Sequence, residues 1–159
     1  MKKLIPIVSL FLFASLYSVA SEIGDRTIPV DVAQLSDSLK RQYALDKRVA
    51  LFDVDYSFSG KNVMLRGVTT SAEAKAALLN GLSKADYQVM DCLQVLPDEA
   101  ALEGKTYGII NVSVSNLRVD PDFSSEMMTQ GLMGMPVRVL QRDGWYRIQT
   151  PDNYIAWVH

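Results

Sequence analysis

One cysteine, Cys92, and one histidine, His159, are all that this sequence holds of either residue. A single cysteine allows no internal disulfide, so folding must rest on packed cores. A thiol nucleophile needs a nearby base to become thiolate at neutral pH, and the only imidazole stands at the far end of the chain. Cys92 falls inside a predicted strand, between Asp91 and Leu93, and is expected to be a buried structural thiol. A zinc-ligand cluster, a phosphate loop and a serine nucleophile elbow are also missing. No catalytic residue, metal or cofactor is expected. Asp53 and Asp55 stand two apart on one strand face, which reads as a solvated edge rather than a glycosidase pair.

Long apolar runs are absent after the first twenty residues. Lys2 and Lys3 precede an apolar stretch from Leu4 to Val19, and Ser18-Val19-Ala20 places small residues where signal peptidase reads. A secretory signal peptide over residues 1–20, cut after Ala20, is predicted. The stretch is short for a bilayer span and no stop-transfer pattern follows it. No cysteine stands at the cleavage site to carry a lipid anchor. Export to the periplasm or cell envelope is therefore expected. Excess positive charge is missing too. Removing Lys2 and Lys3 from 16 basic residues set against 18 acidic ones leaves a net charge of −4. That excludes a nucleic-acid partner, which needs a clustered basic surface.

What is present divides into two periodic halves joined by residues 98–106. In residues 31–97, positions 31–43 place Val32, Leu35 and Leu39 on one helical face. Phe52, Val54 and Tyr56 then alternate with Asp53 and Asp55, a strand with one buried face. Ser59-Gly60-Lys61-Asn62 is a turn into a second strand, Asn62 to Val68. Thr70 and Glu73 have capping-box spacing. The helix they open is expected to pack through Ala72, Ala76, Leu79 and Leu82, with Lys75, Asn80 and Lys84 in water. Tyr87 to Leu96 is a third strand, stopped by Pro97. The sheet is expected to pack through Val63, Leu65, Val89, Leu93 and Val95. The stretch VMLRGVTTSAEAKAALLNGL followed by VMDCLQVLP resembles a BON-like module, a small α/β sandwich. That resemblance implies association with envelope surfaces, not catalysis.

Residues 107–159 carry short strands and no helix. Ile110, Val112 and Val114 alternate with Asn111, Ser113 and Ser115 in a strand expected to be half buried. Asp120-Pro121 marks a turn. Met127 to Met133 leads to Gly134-Met135-Pro136, and Val137 and Val139 begin the next strand. Asp143-Gly144 is a tight hairpin turn into Trp145 to Thr150. Pro151-Asp152-Asn153 turns again before Tyr154 to Val158. This pattern reads as a small β-barrel, so the fold class is α+β.

The Asn-Leu-Arg opening, the Met-Thr-Gln-Gly-Leu-Met-Gly segment, the Gly-Trp-Tyr hairpin and the Tyr-Ile-Ala-Trp-Val ending resemble a bacterial SH3 (SH3b) module. The closest kind stands ahead of NlpC-type cell-wall cysteine peptidase domains. Asn153 and Ala156 stand where that family often has glycine; Asn tolerates the left-handed turn backbone. The resemblance implies that the module binds or positions peptidoglycan peptides. It would place Tyr154 and the Glu126–Met128 strand toward a substrate pocket, with Glu126 able to pair with a peptide ammonium. Trp145 and Trp157 could serve as ligand platforms or as barrel core and rim. The expected binding residues are Glu126, Tyr154, Trp145 and Trp157. Expected partners are wall stem peptides or a cell-wall hydrolase. Two other readings stay open. The chain could be the amino-terminal targeting part of an NlpC-type murein-peptide cysteine hydrolase, since it stops where such a barrel usually runs on. It could also be an envelope protein-interaction adaptor.

Overall fold

The computed structural model describes residues 27–159. The signal peptide expected over residues 1–20 lies outside the described residues. The first half contains α1 (Val30–Tyr43), β1 (Phe52–Ser59), β2 (Asn62–Thr69), α2 (Ala72–Lys84) and β3 (Gln88–Val95). Strands β1 and β2 form an antiparallel hairpin, and β3 returns through α2 to lie parallel beside β2. Both helices cover one face of this sheet. Val32 and Leu39 of α1 meet Phe52, Tyr56, Phe58, Val63, Leu65 and Leu93 in one apolar cluster. Of the expected sheet positions, Val63, Leu65 and Leu93 are fully buried, and Val89 and Val95 are half buried. Tyr56 sends its hydroxyl to Ser36 Oγ at 3.0 Å, which satisfies the one polar atom that its burial would otherwise strand.

Helix α2 differs from expectation in its cap and its buried face. The cap is Ser71, one residue later than Thr70: its Oγ accepts from Ala74 N at 3.0 Å and donates to Glu73 at 2.9 Å. Thr70 is engaged elsewhere, accepting from Leu51 N at 3.0 Å. The buried stripe is Ala74, Leu78 and Leu82, while Ala72 and Ala76 are exposed and Leu79 is half buried. The reason lies in the other helix. Gly81 faces Leu35 of α1 so closely that an added Cβ would come within 2.4 Å of it, and this approach sets the rotation of α2. Lys75, expected in water, is half buried and pairs with Asp91 of β3 at 2.9 Å.

Cys92 is exposed rather than buried. Its register explains this. In β3 it stands beside Arg66 of β2, on the face opposite Leu65 and Leu93, where no helix lies.

The second half contains β4 (Tyr107–Ile109), β5 (Val114–Arg118), β6 (Met127–Leu132), β7 (Pro136–Asp143), β8 (Trp145–Gln149) and β9 (Ile155–Val158). They form one curled antiparallel sheet in the order β4-β7-β8-β9-β5-β6. The strand expected to run through Ile110, Val112 and Val114 is broken: β4 ends at Ile109 and β5 begins at Val114. The chain bends at 110–113 because Ile110 bonds to the β6–β7 turn, donating to Met135 O at 3.0 Å and accepting from Gly134 N at 2.9 Å. Ile110 is buried, but Val112 and Val114 are about half exposed. The core is Leu117, Val137, Val139, Ile148, Ala156 and Val158, joined by Leu102 from the connecting segment. Gly144 (φ 68°) and Asn153 (φ 69°) take the left-handed backbone that their turns need.

A third apolar cluster joins the halves. Leu51 and Leu96 from the first meet Leu140 and Ile155 from the second, with Val68 packed against them. Backbone bonds reinforce it: Ile155 N donates to Arg48 O at 2.6 Å, and Asp98 N donates to Leu140 O at 2.9 Å. The connection 98–106 is itself folded. Asp98 caps it through Ala101 N at 3.1 Å, and Thr106 O accepts from Val139 N at 2.8 Å. The two modules are therefore docked through a small core of their own.

Candidate functional site

The curled sheet is closed near Ile110 and open near Tyr107. Closure depends on Gly131, where a Cβ would come within 3.1 Å of Ile110, so that β6 can approach the bend after β4. At the open end a groove of about 470 Å³ runs between β4 and the far side of the sheet. Its floor is Val139, Ile148 and Val158, and its rim carries Arg142, Tyr146 and His159. Arg142 lies over the Tyr146 ring at 5.3 Å, and Lys105 on the opposite rim pairs with Glu103 at 2.9 Å. The groove is a concave apolar surface with polar groups at its lip, the usual form of a small-ligand site.

An aromatic cluster lies beside the groove and touches it through His159. Phe123, Trp145 and His159 pack in a triangle with ring separations of 4.7, 5.0 and 5.1 Å. Phe123 is 66% exposed, so the triangle presents ring surface to solvent. The loop bearing Phe123 is held by short-range bonds: Asp120 N donates to Ser125 Oγ at 3.0 Å, and Asp122 accepts from Ser124 N at 2.7 Å. Those bonds to Ser124 hold the Asp122 carboxyl below its ordinary range. The same loop ends at Glu126, whose side chain is exposed and whose main-chain oxygen accepts from Val119 N at 3.0 Å.

None of the four expected binding residues lines the groove: Trp145 packs on His159 at its rim, and Glu126 stands exposed at the end of the Phe123 loop. Tyr154 and Trp157 lie elsewhere, at the junction of the two modules. The Arg48 guanidinium stands 5.8 Å from the Tyr154 ring centre. Trp157 is 9% exposed and lies beneath Arg147, at 5.2 Å. Arg147 reaches across the junction to Asp53 at 3.7 Å. Burial lowers the Arg147 pKa from its ordinary value, and Asp53 opposes that shift. Its Nε is buried without a hydrogen-bond partner, facing aromatic surface rather than an acceptor.

The groove itself was not legible beforehand. Tyr107, Arg142, Tyr146 and His159 are scattered over fifty residues, and only the pairing order of the strands assembles them. One signal was available: Gly108 between Tyr107 and Ile109, a strand residue without a side chain facing the floor. Among the described residues no group of three or more His, Cys, Asp or Glu could hold a metal ion. No described helix is long and apolar enough to cross a membrane.

Residues 117–159 match the family model described as the bacterial dipeptidyl-peptidase Sh3 domain. The match runs from Leu117 in β5 through β9, so it covers the loop of Phe123, the Trp145 hairpin and His159. It supports a bacterial SH3 assignment for this stretch. Strand β4 and the whole first module fall outside it. No curated protein matches the chain.

Proposed function

We propose that this chain is an exported, non-catalytic protein of the cell envelope whose SH3-type module binds or positions peptidoglycan peptides. One observation carries the reading. The stretch matching a peptidase-associated SH3 domain supplies Val139, Arg142, Tyr146, Ile148, Val158 and His159 of the groove, and the exposed Phe123–Trp145 cluster packed on that His159. In this reading Trp145 and Phe123 offer ring faces to a bound peptide, and Glu126 pairs with its ammonium group. Tyr154 and Trp157 act indirectly, by holding the barrel against the first module. The BON-like resemblance of that first module fits the same envelope setting. The signal peptide over residues 1–20 would deliver the chain there.

The test is retention of the mature chain, residues 21–159, on purified peptidoglycan, with soluble muropeptides as competitors. Retention reversed by muropeptides with a free amino end is expected. Trp145→Ala and Glu126→Gln should each weaken it, while Tyr154→Phe should not, since it is the ring that meets Arg48. No retention, or retention untouched by both weakening variants, removes the reading.

A second reading, as the targeting part of an NlpC-type murein-peptide hydrolase, draws support from the apolar surface around Tyr107 and Ile109, which suits contact with another protein. The DNA after the codon for His159 decides it. A continuing frame with a cysteine and a histidine in a papain-like context would favour the hydrolase.

A further inference from the structure

A bulge in β7 decides the character of the groove. The floor, Val139 of β7, Ile148 of β8 and Val158 of β9, is buried and apolar. Simple strand alternation would continue that face of β7 through Gln141 and Asp143 and turn Arg142 away. The register breaks instead. Val139 stands opposite Ile148, but Gln141 stands opposite Arg147, so Leu140 is an extra residue on its strand. Leu140 turns into the core at the module junction, and beyond it the two faces exchange. Arg142, opposite Tyr146, therefore joins Val139 and Ile148 at the groove. Bulges re-aim side chains in this way beside binding sites.

Arg142 arrives there without a counter-charge. None of the ion pairs among the described residues includes it, and its guanidinium lies over the Tyr146 ring at 5.3 Å. On the opposite rim Lys105 and Glu103 neutralise each other at 2.9 Å. The lip thus holds an uncompensated positive charge above an apolar floor, which favours a ligand with a carboxylate and an apolar group beside it. The remaining lining narrows the ligand further. Asn111, exposed, and Ser115, half buried, face the same groove and offer hydrogen bonds to amides. A hydrocarbon tail would cover them without partners, whereas a peptide brings its own donors and acceptors.

We propose that the groove captures the carboxyl end of a peptide. The terminal carboxylate pairs with Arg142, whose guanidinium can grip it through two parallel hydrogen bonds. The last side chain, an apolar one, lies on Val139, Ile148 and Val158, and the preceding amides meet Asn111 and Ser115. At about 470 Å³ the groove has the size of a small-ligand site, enough for a chain end. The inference rests on the wall-peptide reading in taking the groove as the ligand site, and adds which end of the peptide enters it. Glu126, assigned there to the ammonium, lies outside the groove, so separate groups read the two ends.

The probe is N-acetyl-Ala-Ala-Leu with a free carboxyl end, titrated into residues 21–159 and followed by NMR. Acetylation removes the ammonium, so binding of the probe does not depend on Glu126. The free acid should bind about tenfold more tightly than the same peptide amidated at its carboxyl end, and should shift the signals of Ser115, Arg142 and Tyr146. Arg142→Gln changes an exposed side chain and should leave the melting curve in place while bringing acid and amide to equal affinity. Arg142→Lys should keep part of the preference, and serine in place of the probe's leucine should weaken binding. Equal affinity of acid and amide in the parent chain overturns the proposal, with no variant needed. So does a preference that survives Arg142→Gln. Tighter binding of dodecanoate than of the peptide also overturns it, by giving the groove to an acyl chain. Dimerisation of the free chain that Arg142→Gln abolishes does the same, by giving it to a second copy. Retention on peptidoglycan judges the wall-peptide reading separately. Retention without an acid preference keeps that reading and removes this one; an acid preference without retention does the reverse.

Discussion

Leu140→Ala tests whether the two modules stand or fall together. Leu140 is 1% exposed and packs with Leu51, Leu96 and Ile155, residues drawn from both modules. Truncating a buried leucine costs about 2–5 kcal/mol, from lost transfer energy and the cavity left behind. With a urea dependence of about 1–3 kcal/mol per molar, the unfolding midpoint should fall by roughly 1–3 M. Two signals separate the modules. Both tryptophans, Trp145 and Trp157, lie in the second module, and both helices, α1 and α2, lie in the first. Tryptophan fluorescence and helical circular dichroism therefore report different halves. If the junction is a shared core, the two curves coincide in the parent and move down together in Leu140→Ala. A fluorescence midpoint that falls while the helical midpoint stays in place would refute the reasoning. Leu117→Ala, in the second module's own core, gives the comparison for damage to one half.

Gly67 sits at φ +116°, and an added Cβ would come within 2.1 Å of Asp53 O. The strained backbone alone costs about 1–3 kcal/mol, so Gly67→Ala should lower the melting temperature clearly; an unchanged melt would contradict the hairpin geometry. Cys92, being exposed, should react with a maleimide in the native state, and Cys92→Ser should change stability by no more than about 0.5 kcal/mol. Labelling that requires denaturant would return the thiol to the interior. The Arg48 side chain and amide both donate to Asp46, holding its carboxyl at about 2, below the ordinary 3.8. A depressed folded pKa means that this contact's stabilisation is complete above the ordinary value. It is lost as pH falls through about 2. Carboxyl NMR titration should show the low value, and Arg48→Ala should raise it; an unmoved titration would remove Arg48 as the cause.

Much of the local structure was legible because period reports burial. The alternation of Phe52, Val54 and Tyr56 gave β1, and Asp143-Gly144 gave the Trp145 hairpin. The misreadings share one cause. Thr70 has the right spacing for a cap, but its hydroxyl is committed to Leu51 N. The face of α2 was set by Gly81 against Leu35, a contact between helices nearly fifty residues apart. Cys92 was expected to be buried inside its strand, having no base to activate it, yet its face of the sheet has no covering layer. In each case a tertiary partner overrode a local rule.

Local chemistry thus determined the elements of this protein, their approximate bounds, and the SH3-type character of its last strands, because turns and periodicity act between near neighbours. The tertiary structure alone decided how the elements meet. It placed Leu51 and Leu96 against Leu140 and Ile155, sent Tyr154 and Trp157 to the junction, and opened a groove lined by Tyr107, Tyr146 and His159. Those outcomes depend on strand order and on packing between distant residues, and side chains brought together only by folding leave no pattern along the chain.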